Sequence, residues 1–161
     1  MVRLGGPPVS ATLIAHRQCE VIVTDSFDPT IEELSVSECW ALIRTVPIGR
    51  IALPGTDDIE IFPVNFIVDG ASIVFRTAPG TKQTLLGDGA RCSFEADHID
   101  VGEQLVWSVV LKGPARPVVG HDAIIATFDM EVPAWQAGPK PTYVRMKPQV
   151  ITGRRFPIME H

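Results

Sequence analysis

The chain has 161 residues, 45% of them apolar and 20% charged, with a formal net charge of −5. That length and balance suit one globular domain with a sizeable core of its own. The acid excess argues against a general nucleic-acid binder, which needs a field of Lys and Arg facing phosphates. No apolar run is long enough to span a bilayer as a helix.

Residues 1–31 read as an N-terminal arm, broken by Gly5-Gly6-Pro7-Pro8 and by a turn-like stretch before Thr30. The body, residues 32–161, opens with Ser35-Val36-Ser37-Glu38, a capping box with Ser35 as N-cap and Glu38 reaching back. Cys39, Leu42, Ile43 and Val46 then fall at helical spacing on one apolar face, and Pro47 and Gly49 stop the helix. Strands follow at 50–54 and 59–68, separated by Asp57-Asp58. Asp69-Gly70 between apolar runs predicts a hairpin into a strand at 72–78. Pro63 inside the second strand demands an edge or a bulge. A short helix is predicted over 81–86 and a strand over 91–96. Residues 105–112 and 115–119 form two strands, or one long strand bent at Gly113-Pro114. A helix over 121–129 and a proline-rich loop carrying Trp135 precede strands at 143–146 and 150–156, split around Pro148. Helix–strand alternation of the doubly wound kind is absent. The expected fold is mainly β: an antiparallel barrel with a few short helices.

One segment carries chemistry. Ile73-Val74-Phe75 delivers Arg76 and Thr77, a Pro79-Gly80 turn follows, and Thr81 and Lys82 open the next helix. Two fixed cations and two hydroxyls around a glycine suit a phosphate monoester, since arginine grips its oxygens in parallel and lysine adds a point charge. Taken singly, Arg76 reads as an exposed strand arginine in a cross-strand ion pair. Its company reverses that reading. A lysine at a helix start opposes the dipole, which favours an anionic partner there.

The order of motifs resembles a known family. It runs Glu38-Cys39-Trp40-x-Leu42, Gly49-Arg50-Ile51-Ala52, Phe62-Pro63-Val64-Asn65-Phe66 and Asp69-Gly70. It continues with Phe75-Arg76-Thr77-x-x-Gly80-Thr81-Lys82, Phe94-Glu95-x-Asp97, Trp107-Ser108-Val109-Val110-x-Lys112-Gly113 and Thr152-Gly153-Arg154-Arg155. This is similar to the pyridoxamine 5′-phosphate oxidase-like split-barrel flavoproteins, in particular the actinobacterial and nitroimidazole-resistance branch, across residues 34–156. The resemblance implies a six-stranded antiparallel split β-barrel that forms a homodimer with flavin sites at the interface. It implies FMN as cofactor, with F420, FAD or heme in some relatives. On the matching positions, Arg76, Thr77 and Lys82 are expected to hold the phosphate. Pro63, Val64, Asn65 and Phe66 are expected to line the ring, and Trp107 and Ser108 to approach from another strand. The implied activity is oxidoreduction of a small organic substrate by hydride transfer through the flavin. A flavin carrier or sensor, and an F420-dependent reductase, are the alternatives. No catalytic acid or base is singled out, because the flavin itself does the chemistry.

Other residues carry plainer readings. Trp107 on its own is core, and Asn65 in an apolar strand is a paired structural amide. Glu95 and Asp97 form a solvated or salt-bridged pair, and Arg154 and Arg155 either pair with them or reach the cofactor, one at most facing the site. His16, His98, His121 and His161 are scattered without metal spacing, so no metal is expected. Cys19, Cys39 and Cys92 are far apart with no CxxC, which reads as free thiols in a reducing compartment. The apolar residues 11–15 are too short for a secretory core, so the cytoplasm is expected.

Overall fold

The computed structural model describes residues 31–120, 132 and 138–159. The predicted arm, the helix over 121–129 and Trp135 lie outside the described residues. Among the described residues, eight strands and two helices follow one another as β1 (Glu32–Glu33), α1 (Val36–Ile43), β2 (Ile48–Pro54), β3 (Ile59–Asp69), β4 (Ser72–Thr77), α2 (Thr81–Leu86), β5 (Ala90–Asp100), β6 (Leu105–Pro117), β7 (Thr142–Met146) and β8 (Val150–Pro157).

The predicted capping box starts α1. The Glu38 N–H donates to Ser35 Oγ at 3.3 Å, and the Ser35 N–H donates back to the Glu38 carboxylate at 2.9 Å. Two orphan donors of the first turn are thereby satisfied. The apolar face buries Cys39 and Ile43 completely, with Leu42 and Val46 partly covered beside them. The helix lies against β8 at Gly153, where a Cβ would stand 2.6 Å from Cys39 Sγ. Trp40 is half-buried at the margin of the core, with the Arg44 guanidinium 5.8 Å from its ring centre.

All strand pairings are antiparallel. Six strands close on themselves in the order β2, β3, β4, β7, β6, β5 and back to β2. β8 joins the outer edge of the first part of β6, and β1 pairs with β8. The split is located on β6. This strand is continuous through Gly113-Pro114, so the one-strand alternative is the one realised. It pairs with β8 as far as Lys112↔Val150 and changes to β7 from Ala115↔Met146. The turn between β7 and β8 crosses β6 at Gly113. A Cβ there would meet the Lys147 carbonyl oxygen at 2.5 Å and Pro148 Cα at 2.9 Å. Hydrogen bonds from Lys147 N to the Pro114 carbonyl (3.1 Å) and Gln149 N to the Lys112 carbonyl (2.8 Å) fasten the crossing.

Alternation fills the interior. Ile51 and Leu53, Val64 and Phe66, Ile73 and Phe75, Phe94 and Ala96, Val109 and Leu111, and Val144 and Met146 all point inward and are buried. Phe66 and Phe94 meet edge to face, 4.9 Å between ring centres. The β3–β4 hairpin differs from expectation by one residue. Asp69 pairs with Ser72, so the turn is Gly70-Ala71 rather than Asp69-Gly70. Asp69 is the last residue of β3, and its carboxylate is engaged over the outer face of β4 by Arg145 Nη1, 2.5 Å away.

Candidate functional site

Strand parity aims Arg76 outward from β4, opposite Tyr143 of β7. Its guanidinium lies 5.0 Å from the Tyr143 ring centre, and Nε donates to the Lys140 carbonyl at 2.9 Å. These contacts fix the side chain while leaving the terminal nitrogens of the fork to address a ligand. Thr77 points the other way and is 3% exposed, its hydroxyl donating to the Ala78 carbonyl at 3.1 Å. The chain then turns through Gly80 at φ 147°, a conformation open to glycine alone. Lys82, in the first turn of α2, holds its Nζ over Phe62, 5.6 Å from the ring centre.

Together these residues line a cavity of about 240 Å³, bounded by Phe62, residues 76–82 and Lys140. The predicted trio Arg76, Thr77 and Lys82 is therefore brought to one place, and Lys140 adds a third cation. Burial and then the charge of Lys140 hold the Lys82 ammonium below its ordinary pKa. Arg50, Arg145 and Arg155 each have a carboxylate partner. Among the described residues, no carboxylate lies within ion-pair distance of Arg76, Lys82 or Lys140. Three like charges around one half-closed cavity raise the energy of the site unless an anion enters it. The six-residue α2 has no side-chain cap, and its partial dipole is small beside three full charges.

The strand next to this corner behaves as Pro63 required. β2 covers one edge of β3 along its whole first part, whereas β4 pairs with β3 only from Phe66↔Phe75 onward. The other edge of residues 59–65 has no strand partner among the described residues. Pro63 is exposed on it, and Asn65 is half-buried, with Nδ2 donating to the Pro47 carbonyl at 3.4 Å. Val64 and Phe66 turn their side chains into the core, so they offer only backbone on the outside.

Trp107 and Ser108 do not line the corner cavity. Trp107 is 4% exposed in the core, its ring 6.2 Å from that of His98. Ser108 faces outward, in register with Asp97 and Arg154. On that outer face Arg50 bridges Glu95 at 2.9 Å and Asp97 at 2.5 Å. Burial raises the Glu95 carboxyl against the pull of Arg50. Arg155 pairs with Glu32 at 2.8 Å, so the acid pair takes Arg50 as partner and Arg155 serves the chain's first strand. Cys92 donates to the Gly113 carbonyl at 3.5 Å, and burial pushes its thiol up to about 11, which suits packing and not nucleophilic work.

Lys140, Tyr143 and Phe62 were not singled out as site residues from the sequence. Lys140 sits between two prolines, 58 positions beyond Lys82, and only the β4–β7 pairing brings it in. The signal was Tyr143, the start of a strand whose partner no local pattern specifies.

The fold and this corner define a split-barrel protein with a cation-lined pocket beside an open strand edge. The family model described as pyridoxamine 5′-phosphate oxidase matches residues 35–155, and the chain belongs to that family. An FAD-binding protein from Mycobacterium smegmatis is similar, at 38% identity and TM-score 0.67, over 78% of this chain and 97% of that one. So is a protein from Corynebacterium glutamicum provisionally named as a pyridoxamine 5′-phosphate oxidase, at 36% identity and TM-score 0.73, over 83% and 98%. An uncharacterised protein of Mycobacterium tuberculosis is 27% identical over 131 residues, 78% of this chain and 86% of its own length. Among the described residues, no helix is long and apolar enough to cross a membrane.

Proposed function

We propose that this chain binds a flavin nucleotide and uses it in oxidoreduction of a small organic substrate. The observation that carries the reading is the corner of Arg76, Lys82 and Lys140, three cations that no described carboxylate neutralises. Such a donor set fits a phosphate, with Arg76 supplying a fork and the two lysines supplying point charges. The edge of residues 59–64, which no described strand covers, offers its backbone and the face of Pro63 to the planar ring system. A bound flavin would supply the hydride chemistry. The chain's part is to hold the phosphate, orient the ring and keep one face of it from water. FMN follows from a single compact phosphate site. FAD is the second reading, favoured by the FAD-binding relative at 38% identity and by the added cation Lys140.

A homodimer belongs to this proposal. Ile59, at 70% exposure, and Ile61, at 63%, stand on the outer sheet face, and a second copy covering that face brings another Ser108 toward the ring. Trp107 would act there through its backbone. We place the protein in the cytoplasm.

The purified protein is expected to show the absorption bands of an oxidised flavin, to release FMN or FAD by mass, and to bleach with NAD(P)H and recover with an acceptor. A colourless protein that takes up neither flavin defeats the proposal. A flavin that binds but never turns over leaves the carrier reading in its place.

Binding should also depend on pH. An anion raises the pKa that burial and Lys140 hold down on Lys82. Binding then takes up a proton in the window between the lowered and the restored pKa. Flavin affinity therefore falls as the solution turns alkaline through that window. Without ligand the linkage has the opposite sign: the strained ammonium opposes folding at neutral pH, and its penalty fades as pH rises. Fluorescence titration with FMN from neutral to alkaline pH tests this, and an affinity independent of pH for wild type, equal to that of Lys82→Met, contradicts it.

A further inference from the structure

A second cavity, of about 440 Å³, opens beside the point where β6 changes partner, and it shares no lining residue with the corner. Arg116, Arg145 and Lys147 surround it, and Pro114, Pro117 and Val118 form apolar walls. Arg116 of β6 and Arg145 of β7 are directly opposed in the ladder. Like charges in that position repel and weaken a strand pair. Only one of them is compensated: Arg145 donates to Asp69 at 2.5 Å and to Ser72 Oγ at 2.6 Å. Among the described residues, no carboxylate lies within ion-pair distance of Arg116 or Lys147.

The Arg116 side chain is also held in place. The Arg116 stem lies across Gly89, where a Cβ would stand 2.7 Å from its Cγ and 3.0 Å from its Nε. Any side chain at residue 89 would displace it. The walls are tied by Val118 N to the Tyr143 carbonyl at 2.8 Å and by Lys147 N to the Pro114 carbonyl at 3.1 Å. An uncompensated Arg116 seated over a glycine, opposed to Arg145 and flanked by prolines, is poor design for stability alone and good design for an anion with an apolar body.

We infer that this cavity is a second ligand site, taking a small ring-bearing phosphate or carboxylate, with the anionic group between Arg116 and Lys147 and the ring against Pro117 and Val118. It is independent of what fills the corner. Phenyl phosphate, benzoate and inorganic phosphate, titrated calorimetrically into the full chain, test it. Lys82→Ala disables the corner in the control. In that background phenyl phosphate should bind at one site, more tightly than inorganic phosphate, and Arg116→Gln with Lys147→Gln should weaken it by about tenfold or more. Thermal melting of the double variant should be unchanged or higher, since one of two repelling guanidiniums is gone. A preference for phenyl phosphate over benzoate assigns phosphate esters, and the reverse assigns carboxylates. Unchanged affinity in the double variant, no binding in the Lys82→Ala chain, or inorganic phosphate binding as tightly as phenyl phosphate each overturns the inference.

Discussion

Arg76→Ala and Lys82→Ala should each lower flavin affinity by roughly ten- to a hundredfold, the range expected for one charge-assisted hydrogen bond to a phosphate. The two should differ in stability. Lys82 is an ammonium that burial and Lys140 already disfavour, so flavin-free Lys82→Met should melt no lower than flavin-free wild type. Arg76 also stacks on Tyr143 and donates to the Lys140 carbonyl, so its loss should loosen the segment that supplies the third cation. Arg76→Lys should recover little affinity, because an ammonium cannot reproduce the fork. Flavin quenching and thermal melts separate these effects. Undiminished affinity in both alanine variants would remove the phosphate from this corner.

Gly113→Val should damage the fold severely. The nearest atoms to a new Cβ are the Lys147 carbonyl oxygen at 2.5 Å and Pro148 Cα at 2.9 Å, both backbone and both fixed by the crossing turn. A flexible side chain could swing aside; a ladder cannot. Overpacking against a backbone that cannot give way falls at the upper end of the usual range, about 3 kcal/mol. For a domain of this size that lowers Tm by roughly 6–12 °C. Urea denaturation of the variant checks the figure, and a midpoint within error of wild type would show that the turn can yield.

Local chemistry was legible and distant pairing was not. Ser35 and Glu38 declared the start of α1, and Pro79, Gly80 and Thr81 declared the start of α2, because caps and turns depend on neighbours in the chain. Pro63 declared a strand edge for the same reason: a missing N–H is a local fact with a ladder-wide effect. Asp69 misled by one position: it pairs with Ser72 at the end of the ladder, and its carboxylate meets Arg145, 76 residues away. The resemblance supplied what periodicity could not, namely that six of the strands close into a split barrel. The site divided along the same line. Arg76, Thr77 and Lys82 stood together in the sequence and stand together in space. Lys140 entered through β7, and Trp107 turned out to face the core from the far end of a long strand, where its aromatic type alone could not say which side it would take.

The partner change on β6 has a mechanical consequence. Ring closure rests on the short ladder from Ala115↔Met146 to Pro117↔Val144, whereas the neighbouring flap of β8 is laced to the same strand from Leu105↔Pro157 to Lys112↔Val150. The cylinder is thus zipped along its weakest join, between two facing guanidiniums. Thermal breathing of the wall should begin at that join, and with it any transient widening of the barrel.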